Sequence, residues 1–124
     1  MVAPRSVLLV DDSGLARRSA RHILEPAGYT VAEAGDGMAA LERYFLDRPD
    51  LVLLDLVMHG MSGLDVLAKL RQMDPAARVI VVSADVQDSS RQLALEAGAS
   101  GFVIKPVDGA ALLKTVADVL ELRA

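Results

Sequence analysis

A chain of 124 residues is one domain's worth, and folding at that size buries roughly two thirds of the unfolded surface, enough for a core without staples. The absence of cysteine excludes disulfides and thiolate metal sites and fits a reducing compartment. Thirteen Lys and Arg against 17 Asp and Glu give a net charge of −4, which argues against a broad nucleic-acid surface, while 52% hydrophobic and 3% aromatic residues predict an aliphatic core.

Met1 to Ser6 lack the apolar centre of a secretory leader. No apolar run approaches the ~20 residues that span a bilayer, so the expected location is the cytoplasm. The first run, Val7–Val10, ends on Asp11 and Asp12. Ala16, Ala20, Ile23 and Leu24 then share a helix face that Pro26 and Gly28 terminate. Arg17, Arg18 and Arg21 form a basic stripe on that helix, read as a solvated face with docking as the alternative; His22 is read as a solvated helix residue. A weaker run, Tyr29–Ala32, precedes a second helix marked by Met38, Leu41 and Phe45, with Asp36 as its cap. The third run, Leu51–Leu54, ends on Asp55, which is followed by Leu56 and Val57 rather than by a helix start; His59 is read as a loop residue. Val66, Leu70 and Met73 mark the third helix. The run Val79–Val82 ends on Ser83, and Leu93 and Ala97 mark a fourth helix that Gly98 stops. Phe102–Ile104 ends on Lys105, and Asp108 caps a last helix carrying Leu113, Val116, Ala117 and Leu120. No linker, repeat or low-complexity tract interrupts the pattern, so residues 1–124 are expected to form one domain.

The strongest runs are apolar at every position, as in strands covered on both faces. A (βα)5 alternation of this kind implies an α/β fold, a doubly wound parallel five-stranded sheet with helices on both faces, and the order expected for it is the flavodoxin-like 2-1-3-4-5. Ligands of such sheets bind at the carboxyl ends of the strands, where Asp11, Asp12, Asp55, Ser83 and Lys105 all fall. Three carboxylates that close repel one another and require a cation or a proton. Mg²⁺ suits them, since it takes oxygen ligands and shares itself with phosphate. Zn²⁺ would want His or Cys, and neither follows any run. A carboxylate can be a nucleophile toward phosphorus, and phosphoryl transfer needs in-line positioning and neutralised equatorial oxygens. Asp55 as nucleophile, the aspartate pair as metal anchor, and Ser83 with Lys105 as oxygen clamps supply those parts.

In these residues the chain resembles the receiver domains of two-component response regulators over essentially its whole length. The resemblance rests on Asp11-Asp12, Asp55, Ser83-Ala84 and Lys105-Pro106 at the strand ends, with Gly35-Asp36-Gly37, Met61-Ser62-Gly63-Leu64 and Gly98-Ala99 between them. It implies that Asp55 is the phosphoacceptor and that Lys105 and Ser83 assist. It further implies that Asp11, Asp12, Asp55 and the main-chain carbonyl of Val57 hold Mg²⁺, and that Ser83 and Phe102 form a switch. Phe102 read alone is equally a core residue. His59 stands where the family often has Pro, and Val57 where many members are polar. The implied donor is a histidine kinase or histidine phosphotransfer protein, and the output is an unidentified target protein. No nucleic-acid binding, membrane insertion or enzymatic activity on another substrate is expected.

Two other chemistries fit less well. Phosphatases and phosphomutases with an aspartyl nucleophile carry two acidic residues in alternate positions after the first strand, whereas Asp11 and Asp12 are adjacent. A flavodoxin-like cofactor binder needs a Gly, Ser or Thr-rich phosphate loop there. A degenerate receiver acting only as an interaction module is disfavoured by the intact set of reactive residues. A single-domain regulator is expected rather than a module of a longer one. It should be a monomer or weak dimer, because Ser100 and Gly101 stand where many DNA-binding members carry the acidic residues of their dimer.

Overall fold

The apolar runs form five strands, β1 (Ser6–Val10), β2 (Thr30–Ala34), β3 (Leu51–Asp55), β4 (Val79–Ser83) and β5 (Gly101–Ile104), in a computed structural model that describes residues 5–84 and 87–121. They lie in the order β2-β1-β3-β4-β5, and every pairing is parallel. Helices α1 (Gly14–Leu24), α2 (Gly37–Asp47), α3 (Gly63–Met73), α4 (Asp88–Glu96) and α5 (Gly109–Glu121) follow the strands in turn. The expected fold and strand order are both borne out.

Strand side chains alternate between the faces of a sheet, and that alternation sorts the core into two layers. Leu8, Val10, Val52, Leu54, Val79 and Val81 pack with α2, α3 and α4 through residues such as Tyr44, Val66, Leu70 and Ala94. Val7, Leu9, Leu53, Ile80, Val82 and Val103 pack with α1 and α5 through Leu24, Leu112 and Val116. Every residue of β3 and β4 is buried, so both central strands read as unbroken apolar runs.

Local polar groups start the helices where the sequence places them. Ser13, Asp36 and Ser62 accept hydrogen bonds from the backbone N–H groups of Ala16, Ala39 and Asp65. Ahead of α5, Asp108 accepts from the N–H of Ala110 at 3.2 Å. A 3-10 turn, Glu25–Ala27, extends α1, and Gly28 turns the chain into β2 with φ of 101°.

Three expectations about faces and bounds need correction. Met38 and Phe45 are 66% and 64% exposed, and α2 instead buries Gly37, Ala40 and Tyr44. That face begins with small residues: a Cβ on Gly37 would meet Val66 Cγ2 at 2.8 Å, so glycine there lets α2 approach α3 closely. Hydrophobicity alone therefore points α2 the wrong way. On α4 the inward residue is Ala94 rather than Leu93, which is exposed. Finally, β2 runs from Thr30 to Ala34 rather than from Tyr29 to Ala32, which puts Glu33 within the strand.

Candidate functional site

The register of the sheet brings the reactive residues to one edge. Val10 is opposite Leu54 across β1 and β3, so Asp11 and Asp55 emerge on neighbouring strands. Both continue the alternation that points toward α1 and α5, as Lys105 does beyond Val103. Lys105 Nζ accordingly lies 3.1 Å from Asp11 Oδ2 and 3.3 Å from Asp55 Oδ2. Its backbone N–H donates to the carbonyl of Ser83 at 2.9 Å, which fixes where the lysine leaves β5. The Lys105–Pro106 bond is cis.

Hydrogen bonds from the chain itself hold each carboxylate. Asp11 accepts from the N–H of Ser13 at 2.9 Å, and its own N–H donates to the carbonyl of Ala34 at 3.2 Å. Asp55 accepts from the N–H of Val57 at 3.2 Å. Asp12 Oδ2 accepts from the N–H of His59 at 3.0 Å and lies 2.7 Å from the ring Nδ1 of the same residue. One oxygen from each of Asp11, Asp12 and Asp55 falls within 4.8 Å of the others. An all-carboxylate donor set is the chemistry that hard cations such as Mg²⁺ require, so these residues fit that ion.

Electrostatics separates the roles. Burial raises the Asp55 pKa, the N–H of Val57 opposes the rise, the charge of Asp11 adds to it, and Lys105 opposes it. Burial lowers the Lys105 pKa, but hydrogen bonding to Asp11 and the charges of Asp11 and Asp55 outweigh it, and the net shift is upward. The N–H of His59, then its ring, lowers the pKa of Asp12. A cavity of about 300 Å³ borders Asp11, Asp55 and Lys105 and is floored by Leu9, Leu53 and Val82. Asp55, only 7% exposed, is among the residues that line it.

The remaining residues singled out in the sequence lie around this centre. Ser83 is fully buried at the end of β4, on the face opposite Val82. Phe102 pairs in register with Val81, packs in the same layer as Val81, and has the Arg91 guanidinium 5.4 Å from its ring centroid. It is therefore behind Ser83 and not within the carboxylate cluster. Val57, two residues after Asp55, is 73% exposed. Asp85, two residues after Ser83, lies outside the described residues.

Two partnerships escape the sequence reading. Arg17 and Arg21 are not a free stripe: both pair with Glu33, at 2.8 and 2.9 Å, and Arg17 also donates to the Asp11 carbonyl at 2.6 Å. With β2 expected to end at Ala32, two residues short of its actual end, Glu33 had no strand on which to face α1. His59, read as an unassigned loop residue, stands against Asp12. The adjacency of β1 and β3 is the signal for it, since loops leaving neighbouring strand ends must meet.

Comparison with known proteins agrees with this geometry. The model of the response regulator receiver domain matches residues 7–117. The chemotaxis protein CheY of Thermotoga maritima is 40% identical over 103 residues, 82% of this chain and 86% of the relative. The nitrate/nitrite response regulator protein NarP of Escherichia coli is 40% identical over 115 residues, which are 91% of this chain but only 54% of NarP. Among solved structures, CheY4 of Vibrio cholerae superposes with a TM-score of 0.90 at 31% identity, covering 94% of this chain and 99% of that one. CheY in the CheX–CheY–BeF3–Mg complex of Borrelia burgdorferi gives a TM-score of 0.91 at 34% identity, covering 94% and 89%.

Proposed function

The chain belongs to the response regulator receiver domains, which act as phosphoacceptors in two-component signalling, and from that premise we propose that Asp55 is the residue that takes the phosphoryl group. The observation that carries this reading is the position of Asp55: buried at the end of β3, beside a cavity, 3.3 Å from the ammonium of Lys105. An Asp55 carboxylate oxygen forms a bond to phosphorus as the phosphorus–nitrogen bond of a donor phosphohistidine breaks. The departing imidazole nitrogen keeps the electron pair. Lys105 neutralises charge on the transferred group and keeps its acceptor ionised despite the burial. Asp11, Asp12, Asp55 and the Val57 main-chain carbonyl are the proposed Mg²⁺ ligands. A bound Mg²⁺ supplies charge neutralisation for the phosphoryl oxygens. The Borrelia relative was solved with beryllofluoride and Mg²⁺, which supports both assignments.

The donor is a histidine kinase or histidine phosphotransfer protein, and the product is read by a target protein through a conformational change. The switch runs through Ser83 and Phe102, which share the sheet face toward α4. The chain covers most of the length of the CheY relatives but about half of NarP, so this function is proposed for the receiver domain itself. No helix among the described residues is long and apolar enough to cross a membrane. Incubating the chain with acetyl phosphate and Mg²⁺ should add one phosphoryl mass, absent in Asp55→Asn and suppressed by EDTA. Equal labelling of Asp55→Asn would overturn the assignment.

A further inference from the structure

The cavity beside Asp55 and Lys105 is more apolar than phosphoryl transfer requires. Its volume is about 300 Å³, and it is walled by Ala20 and Ile23 of α1, by Val107 and by Leu112 of α5, over a floor of Leu9 and Leu53. Leu9 and Leu53 each precede an aspartate by two residues on the same strand face, so Asp11 and Asp55 stand roughly 7 Å along the sheet from them. The cavity thus has a charged end and an apolar remainder, and phosphoryl chemistry uses only the charged end.

An apolar cavity of about 150 Å³ is enough to hold benzene, and small-molecule sites of about 300 Å³ upward combine apolar walls with a few placed polar groups. The charges decide which head group the polar end accepts. Asp11 and Asp55 bring two negative charges, and Lys105, 3.1 and 3.3 Å from them, brings one positive charge. Arg17 also lines the cavity, but its charge is matched by Glu33 at 2.8 Å. The end is therefore net negative, and it attracts a cation and repels a carboxylate. We propose that this cavity is a binding site for a small molecule with an apolar body of benzyl size and an ammonium or amidinium head, the body lying against Ile23 and Leu112 and the head against Asp11 and Asp55. The site does not depend on which carboxylate takes a phosphoryl group.

The test is NMR titration at neutral pH with benzylammonium, benzyl alcohol and benzoate, for the parent chain and for Ala20→Leu. Benzylammonium should shift the methyl resonances of Ile23 and Leu112 saturably and give Overhauser contacts from its ring to both. Benzyl alcohol should bind about tenfold or more weakly, because it leaves the carboxylates without a cation, and benzoate more weakly still. In Ala20→Leu the larger side chain takes up the cavity, so benzylammonium affinity should fall about tenfold or more while the amide spectrum stays that of a folded chain. Benzoate or benzyl alcohol binding as tightly as benzylammonium would overturn the inference. Amine shifts confined to the aspartates, without ring contacts to Ile23 or Leu112, would overturn it too, and that result needs no variant. Unchanged affinity in a folded Ala20→Leu would do the same.

Discussion

The ammonium of Lys105 sits 3.3 Å from the carboxylate of Asp55 and 3.1 Å from that of Asp11, so one cation bridges the ends of two neighbouring strands. Mg²⁺ and Lys105 would then share the same carboxylates and compete for them electrostatically. Lys105→Met should destabilise the metal-free chain, because the repulsion between Asp11 and Asp55 is no longer offset. It should also tighten Mg²⁺ binding, so that the stabilisation gained on adding Mg²⁺ grows by about 1 kcal/mol, or several degrees in Tm. Thermal melts with and without Mg²⁺ measure this, and a smaller gain in the variant would contradict it.

Tyr44 and Asp74 provide a pH-dependent contact far from the site. The Tyr44 hydroxyl donates to Asp74 Oδ2 at 2.8 Å. Burial, then the Asp74 carboxylate, pushes the Tyr44 pKa up from 10.0 to about 12. The folded state therefore holds the phenol proton more tightly than the unfolded state does. The resulting stability is fully present below pH 10 and is lost as pH rises toward 12, about 3 kcal/mol in all for a two-unit shift. At the acid end, the same hydroxyl lowers the pKa of Asp74 below 3.8, so stability is lost as pH falls below that value. Urea denaturation from pH 8 to 12 should show a shallower alkaline decline in Tyr44→Phe than in the parent.

Gly63 begins α3 against the backbone of Asp55, the proposed phosphoacceptor. A Cβ at this position would collide with the carbonyl oxygen of Asp55 and the Cα of Leu56, both of which are backbone and cannot turn aside. The Gly63 N–H also donates to the Leu56 carbonyl at 3.0 Å. Gly63→Ala should cost about 1–3 kcal/mol and slow phosphorylation by acetyl phosphate, since relief of the clash displaces the end of β3. An unchanged urea midpoint would show that the loop yields without cost.

The parts of the fold that were legible in the sequence were those where chemistry is concentrated. Val7–Val10, Leu51–Leu54 and Val79–Val82 are apolar on both faces because both faces are covered, and that pattern gives the sheet and the positions of Asp11, Asp55 and Ser83. The helix faces were harder to read. Gly37, Ala40 and Ala94 are buried because they are small, whereas Met38, Phe45 and Leu93 are large, apolar and exposed. On α2 and α4, therefore, small residues occupy buried positions while larger apolar ones face outward, although α2 buries Tyr44 too. The contacts of Glu33 with Arg17 and Arg21, and of His59 with Asp12, were not legible, since each joins residues that only the sheet register brings together.

Ser83 and Phe102 make the switch testable. Ser83 pairs with Ile104 and Val81 with Phe102 on adjoining strands, so a movement of Ser83 toward a phosphoryl group vacates space beside the ring. The phosphoryl group must contact the two arrangements differently to shift their populations, and in the proposed switch Ser83 would supply that difference. Beryllofluoride should move the amide resonances of Phe102 and Ile104, and should move them much less in Ser83→Ala. Shifts of equal size in both proteins would remove Ser83 from the pathway.

With Asp55 as the proposed phosphoacceptor, the lifetime of the phosphorylated state would depend on a water that attacks phosphorus opposite the Asp55 oxygen. That attack forms a phosphorus–oxygen bond as the bond to Asp55 breaks, returning the carboxylate and releasing phosphate. The backbone N–H of Val57 already donates to Asp55 Oδ1 at 3.2 Å, and the residue is 73% exposed. An isopropyl group there can orient no water, whereas a carboxamide can both donate to and accept from one. Val57→Asn should therefore shorten the phosphoryl half-life, by about tenfold for each ~1.4 kcal/mol removed from the barrier. Mg²⁺ affinity should hardly change, since Val57 would contribute only its main-chain carbonyl to the ion. The measurement is decay of phosphorylated parent and variant side by side after the donor is removed. An equal or longer half-life in the variant would show that the residue at position 57 does not face the attacking water.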